Sequence, residues 1–483
     1  MTTLPEANAK LALDYFRHLS EQHPCDNLLC SPVNLTCSLG LLLYASRGGT
    51  AAELEKVLHW DELKESEKVR NKRYLMTRIR TSASPVKFQE KDKIYPGHRR
   101  YPEQHAKSCD DRLHPHEPHH ARPSDRRRPA PEPEHTKPHD ERRQAPQRPP
   151  GHPEPEAPSC PQTSVPDYKC EDPEGVHTGF SKILEQLNKP STDYFLSFAN
   201  KLFGNYAFIQ KFLFCALKLY LTEVGRADFH NTPEEVRRLI NLWVEAQSHG
   251  EIKDLLPEQS VDSLTQLLMV NTIYFRGLWE IQFNKELTEE APFYTNEKAS
   301  HTVQLMHTRG TFNTGMVHLN NTEVQILEIP YKNHEMSLFI LLPKAENPDS
   351  CLQLEDALSH VELLDWSSYL KPEDVKVAIP KFSMEKTADA DKYLNLSQIS
   401  DSEKADISGA ITIHGVALSQ LVHDTFFEAD EEGAKEPAAK EDQASKSHRH
   451  GPVHFVADHP FLFYVLHKFT QSIIIFGRFS KPE

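Results

Sequence analysis

Residues 428–463 read EADEEGAKEPAAKEDQASKSHRHGPVHFVADHPFLF, and they organise the rest of the chain. Upstream, LVHDTFFEAD (Leu421–Asp430) predicts a strand. Downstream, FLFYVLH and SIIIFGRF predict two more, both apolar enough for a core. Between them run about 25 residues with little apolar content, far beyond the few that usually join strands. A long loop held by buried strands at both ends usually carries function.

FFEADEEG, then an Ala-containing segment, then DHPFLFYVLHKFTQSIIIFGRFSKP, resembles the reactive-centre region of an ovalbumin-type serpin. The resemblance implies a bait loop. A protease cleaves it, and the freed hinge enters the central sheet as a new strand, carrying the acylated protease along. Family spacing counts fourteen residues from Gly433 and puts the reactive bond at Ser447–His448, with Lys446 and Arg449 offering trypsin-like cuts nearby. It also puts the hinge at Glu432, Gly433, Ala434, Glu436 and Pro437, within a hinge and loop spanning 428–457.

The hinge chemistry opposes insertion. Side chains alternate between the faces of a strand, so one face would carry Ala434, Glu436, Ala438, Lys440 and Asp442. The other would carry Lys435, Pro437, Ala439, Glu441 and Gln443. Neither face is apolar, each unpaired buried ion costs several kcal/mol, and Pro437 lacks the N–H of a central strand. The resemblance implies small residues where this chain has Glu436 and Pro437. Pro437 suits a first helical turn, and Ala438–Lys446 are mostly good helix formers. The residues predict a loop that stays outside the sheet, as helix or coil.

Toward the N-terminus, Ala12, Tyr15, Phe16 and Leu19 recur at helical spacing. Ser31-Pro32 supplies a cap and a first-turn proline for an apolar helix ended by Gly48-Gly49. Thr50-Ala-Ala-Glu53 predicts a capping box on the next helix, and Thr232-Pro233-Glu-Glu235 another, with Val236, Leu239, Ile240 and Trp243 inward. NLLCSPVNLTCSL, YASRGGTAAEL, ANKLF, INLWVEAQSHGEI, VNTIYFRGLW and IPKF extend the serpin resemblance over the chain outside residues 82–170. The implied fold is α+β: a large central mixed sheet, further sheets, surrounding helices and an exposed loop. The turn near Asn395–Ser397 is about two residues shorter than the resemblance implies.

Residues 82–170 differ in character. Within 101–160 there are 14 prolines and a single large aliphatic, Leu113. Such a segment cannot bury enough apolar surface to offset its ordering entropy, which predicts a disordered insertion in one serpin domain spanning 1–483. His116-Glu117-Pro118-His119-His120 matches a zinc-protease string, but that motif needs a helix and Pro118 argues against one. Arg126-Arg127-Arg128 sits among as many acids as bases, so the tract offers phosphates no net positive field.

The serpin resemblance implies a shutter at Ser31, Asn34, Asn271 and His423, with Asn34 standing where a serine is usual. It also implies Trp279 at the top of the central sheet. Asn34, Asn320 and Asn395 begin N-x-S/T strings, which matter only in a secreted protein.

The net charge of −15 opposes nonspecific nucleic-acid binding. No apolar run reaches membrane-spanning length, and the first residues lack signal-peptide character. The eight cysteines show no metal spacing and are expected as free thiols. The chain therefore reads as a monomeric, cytoplasmic protein, with nuclear or extracellular locations also open. It needs no metal or cofactor, and its expected partner is a serine or cysteine protease. Three functions stay open: suicide inhibition weakened or lost because of the charged, Pro-containing hinge, a non-inhibitory binding, storage or regulatory role, and a nuclear scaffold acting through the insertion. Nothing in the residues supports an enzyme.

Overall fold

The computed structural model describes residues 2–63, 168–296, 299–320, 322–345, 348–366, 369–432 and 451–482. Nearly all of the 82–170 insertion, with its His-rich and Arg-rich strings, lies outside them, as do the loop residues from Gly433 to His450.

Fourteen strands form two sheets among these residues. The central sheet has the order β10-β11-β4-β2-β3. Its strands are β2 (Tyr194–Gly204), β3 (Glu223–Arg226), β4 (Leu267–Gly277), β10 (Phe382–Asp389) and β11 (Leu418–Ala429). It is mixed: β11 runs parallel to β4 and β3 parallel to β2, while β2 is antiparallel to β4 and β10 antiparallel to β11. LLMVNTIYFRG makes β4 because β-branched and aromatic residues suit a strand covered on both faces, and ten of its eleven residues are buried.

The second sheet has nine strands. Its centre is β13 (Phe461–His467) between β14 (Ser472–Phe479) and β8 (Met336–Pro343). At its far edge β12 (Val453–Val456) pairs in parallel with β9 (Lys371–Pro380). The segments flanking the long loop thus end up in different sheets: β11 belongs to the central one, β12 to the other.

Alternation on β4 and β11 sends side chains to two cores. Met269, Ile273, Phe275, Leu421 and Phe427 join the main core. Leu268, Val270 and Val422 join a smaller one with Val236, Ile240 and Val244 of α6 (Pro233–Gln247). The central sheet is therefore covered on both faces where β4 meets β11.

Among the helices, α1 (Leu4–Gln22) buries Ala12, Tyr15, Phe16 and Leu19 as their spacing predicts. Ser31 caps α2 (Pro32–Ala45) by accepting the Asn34 N–H at 3.3 Å. That helix stops at Ala45, and Gly48-Gly49 instead open α3 (Gly48–Val57).

Several local expectations fail, each because a distant partner wins. Thr50 and Glu53 form no capping box. The Thr50 hydroxyl accepts the Asp406 N–H at 3.0 Å, and the Glu53 carboxylate accepts the Gln398 N–H at 2.9 Å and the Ser397 hydroxyl at 2.9 Å. Glu53 thereby holds the turn at Ser397–Gln398. Thr232 makes no side-chain cap; its hydroxyl donates to the Asp228 carbonyl at 3.2 Å. On α6 the inward stripe is Val236, Ile240 and Val244, spaced by four, which leaves Leu239 59% exposed and Trp243 half-buried.

The thiol expectation also needs correcting. Cys170, just before α4 (Val176–Leu187), is disulfide-bonded to Cys215 in α5 (Gln210–Tyr220). Tyr168 packs on Phe214 of the same helix, ring centroids 5.7 Å apart. No spacing rule links cysteines 45 residues apart; only the packing of this strap on α5 brings them together. Cys25, Cys30, Cys37 and Cys351 are free thiols.

Candidate functional site: the β4–β11 seam and the loop hinge

Three adjacent strands align one polar row. Asn200 on β2 pairs with Asn271 on β4, and Asn271 pairs with His423 on β11. Residues opposite one another share a face, and here that face is the main core beneath α2. All three side chains are buried, so each polar atom needs a partner.

The hydrogen bonds fix the chemistry of His423. Its Nε2 accepts the Ser31 N–H at 3.0 Å and the Thr425 hydroxyl at 3.1 Å. The proton therefore sits on Nδ1, which donates to Asn271 Oδ1. Burial pushes the imidazole down to about 3, so it is neutral at physiological pH. Asn271 Nδ2 donates to the Asn34 carbonyl at 2.8 Å and to Ser38 Oγ at 2.6 Å. Asn200 Nδ2 donates to Asn34 Oδ1 at 2.6 Å. Ser31 Oγ donates to the Ile474 carbonyl at 2.6 Å, joining the helix cap to β14.

Ser31, Asn34, Asn271 and His423 therefore form one network. Asn34 reaches β2, where its Oδ1 accepts from Asn200 Nδ2. The cost is a buried Asn34 Nδ2 without an acceptor among the described residues.

At the upper end of β11 the chain leaves the sheet through Asp430, Glu431 and Glu432, and each is held. Trp279 Nε1 donates to the Asp430 carbonyl at 2.7 Å while its ring stacks on Tyr331 at 4.5 Å. The Phe283 N–H donates to the Glu431 carbonyl at 3.0 Å. The buried Glu431 carboxylate takes Lys381 Nζ at 2.7 Å and the Thr288 hydroxyl at 3.0 Å. Burial raises its pKa, yet these donors outweigh burial and hold it below the usual carboxylate range. Arg276 bridges Asp430 and Glu428, and Lys285 pairs with Glu432.

The row lies within the stretch where β4 and β11 touch, Leu267–Phe275 against Leu418–Phe427, and Asp430–Glu432 lie just beyond its upper end. Parallel pairing is slightly weaker per residue than antiparallel. A strand returning from the end of β11 would run antiparallel to both neighbours, so at this seam one more strand gains two antiparallel ladders.

Trp279 and Glu432 lie where the chain leaves β11; Gly433, Ala434, Glu436, Pro437, Ser447 and His448 lie outside the described residues. Sequence reasoning missed Asn200, Ser38, Thr425, Arg276, Lys285 and Lys381. For Asn200 a signal existed: in FANKLF, alternation aims it to the same side as Leu202, into the core. The basic residues gave none, because each looks like an ordinary surface charge.

The comparisons agree with this geometry. The family model for serpin (serine protease inhibitor) matches residues 6–107 and 162–482. Human (Homo sapiens) Serpin B3 is 30% identical, and human leukocyte elastase inhibitor 28%, each alignment covering all of both chains. Uncleaved ovalbumin superposes with a TM-score of 0.70 at 24% identity, and a tumour suppressing serpin with 0.69 at 25%, each over the whole of both chains. Members of this family are protease inhibitors rather than enzymes, and they meet proteases through the reactive loop. With its mixed central sheet, its polar row beneath the seam and a match over most of its length, this chain belongs to the serpin family, in the ovalbumin-type branch.

Proposed function

We propose that this serpin presents the bond Ser447–His448 to a serine or cysteine endopeptidase, and that its own hinge limits the strand insertion that follows. It acts as a monomer inside the cell and needs no catalytic centre, metal or cofactor of its own.

The observation that carries this reading is that the seam is covered on both faces. If Asp430–Gly433 form the turn, an antiparallel return sets Ala434 opposite Ala429. Lys435 then falls opposite Glu428, Glu436 opposite Phe427, Pro437 opposite Phe426 and Lys440 opposite His423. The first pair is small on small, and the second is an ion pair. The third drives a carboxylate against Phe427, whose ring lies 5.2 Å from Phe463 and 5.7 Å from Phe382. Lys440 would enter the row of Asn271 and His423 with no carboxylate to meet it. Two uncompensated buried charges cost several kcal/mol each, and Pro437 removes a ladder bond. Insertion is favourable for about two residues and opposed after that.

The test is limited trypsin cleavage, followed by melting of intact and cut protein and a gel assay for covalent protease complexes. Cleavage near Lys446 with little rise in Tm and no stable complex is expected. A variant carrying Glu436→Ala, Pro437→Ala and Lys440→Ala should then show a large rise in Tm on cleavage. A large rise in the unaltered protein would overturn the reading.

A further inference from the structure

Asp424 lies on β11 one residue beyond His423, so it faces the opposite side of the sheet, toward α6. It is fully buried. Its Oδ2 accepts the Thr387 hydroxyl of β10 at 3.2 Å, but its Oδ1 has no hydrogen-bond partner among the described residues. Thr272, opposite on β4, cannot serve, because its hydroxyl donates to the Ala199 carbonyl at 3.3 Å.

No cation pairs with Asp424 among the described residues, and Arg276, which shares its face further along β4, is held by Glu428 and Asp430. On β10 the same face carries Glu385, itself raised by burial and by Glu251 in the segment after α6. Lys386 alternates to the other face. On β4 that face carries Val270, Thr272 and Tyr274, and α6 presents Val236, Ile240 and Val244. A buried carboxylate with one oxygen unpartnered among the described residues and an acidic neighbour is a costly arrangement. Here the cost falls in the strand that must part from β4 for any strand to enter.

We propose that Asp424 is a positioning residue for strand insertion: its half-satisfied carboxylate loosens the β4–β11 seam in the uncut protein. Parting the seam admits water to Oδ1 and relieves the cost, so the ionised form favours the parted sheet. Burial, and then Glu385, raise the carboxyl well above its ordinary pKa. The sign follows from linkage. The closed sheet binds the proton more tightly than the parted one, so it gains stability as pH falls through the raised pKa and loses it as pH rises.

The experiment is hydrogen exchange of the intact full-length protein, resolved to the β11 amides at Val422–Phe427 and corrected for intrinsic rates. Wild type, Asp424→Asn and Glu385→Gln would be compared from about pH 8 to about pH 5, where His423 stays neutral. Asp424→Asn should slow seam exchange severalfold at the upper end. It should leave β13 and β14 unchanged and lose its advantage as pH falls. Glu385→Gln should act in the same direction and less. Seam exchange in Asp424→Asn as fast as wild type at neutral pH, or a ratio independent of pH, would overturn the proposal. If that variant does not fold, wild type and Glu385→Gln still decide: wild-type seam exchange that fails to slow toward low pH is equally fatal. Loop cleavage plays no part, so the outcome is independent of whether the hinge inserts.

Discussion

Asn271 and His423 meet across the one parallel strand pair in the middle of the central sheet, the His423 Nδ1–H donating to Asn271 Oδ1. Each also ties the sheet to the start of α2, through the Asn34 carbonyl and the Ser31 N–H. Any movement that separates β4 from β11 must break this bond first.

Asn271→Ala is expected to leave His423 Nδ1–H and Ser38 without their partner, at a cost of about 2–3 kcal/mol. Thermal or denaturant unfolding reads this directly. The unaltered network should also weaken in acid. His423 titrates at about 3 in the folded protein and near ~6.5 when unfolded. Between those values the unfolded chain takes up the proton and the folded one does not. The contribution is therefore complete above ~6.5 and declines as pH falls from there.

At the hinge, Lys381→Met should strand the buried Glu431 carboxylate. Lys381 is half exposed, so the loss is set at about 1–2 kcal/mol rather than the value for a fully buried pair. Hydrogen exchange at residues 428–432 should rise while exchange in β13 does not. Glu431 has a depressed pKa, so its stabilisation is present above the ordinary carboxylate value and is lost as pH falls through the folded one.

Arg478 closes the fold from the C-terminal end. Fully buried on β14, it donates to Glu355 at 2.7 Å, to Ser20 Oγ at 2.8 Å and to the Asp26 carbonyl at 3.1 Å. Arg478→Met alone should cost about 3–5 kcal/mol, because Glu355 is left as an unpaired buried acid. Adding Glu355→Leu should recover a large part of that loss. Equal destabilisation of the single and double variants would show that packing, not charge, dominates.

Cys170–Cys215 closes a loop of 45 residues. Chain entropy sets its ceiling near ~4 kcal/mol. Cys170→Ser should lower Tm, and non-reducing peptide mapping should find the linked pair in the unaltered protein. A Tm unmoved by either the substitution or a dithiol reductant would remove the bond's structural role.

Much of the site was legible because it depends on short-range rules. Asn271 and His423 stand out as polar residues inside apolar strands, Ser31-Pro32 reads as a helix start, and Trp279 follows an apolar run. Their shared row needed registers between β2, β4 and β11 that no local pattern supplies. Thr50 and Glu53 show the opposite outcome: they fit a capping pattern, yet residues 397–406 offer better-placed donors, and the local pattern loses.

The sequence by itself determined the elements, the family and the charged hinge, since periodicity, turn residues and the ordered signature segments are local properties of the chain. Tertiary structure alone decided that the seam has two covered faces, that Asp424 is buried with one oxygen unpartnered among the described residues, that Lys381 holds Glu431 and that Cys170 meets Cys215. Burial and pairing depend on what arrives from elsewhere in the chain, and a carboxylate in sequence carries no mark of whether water will reach it.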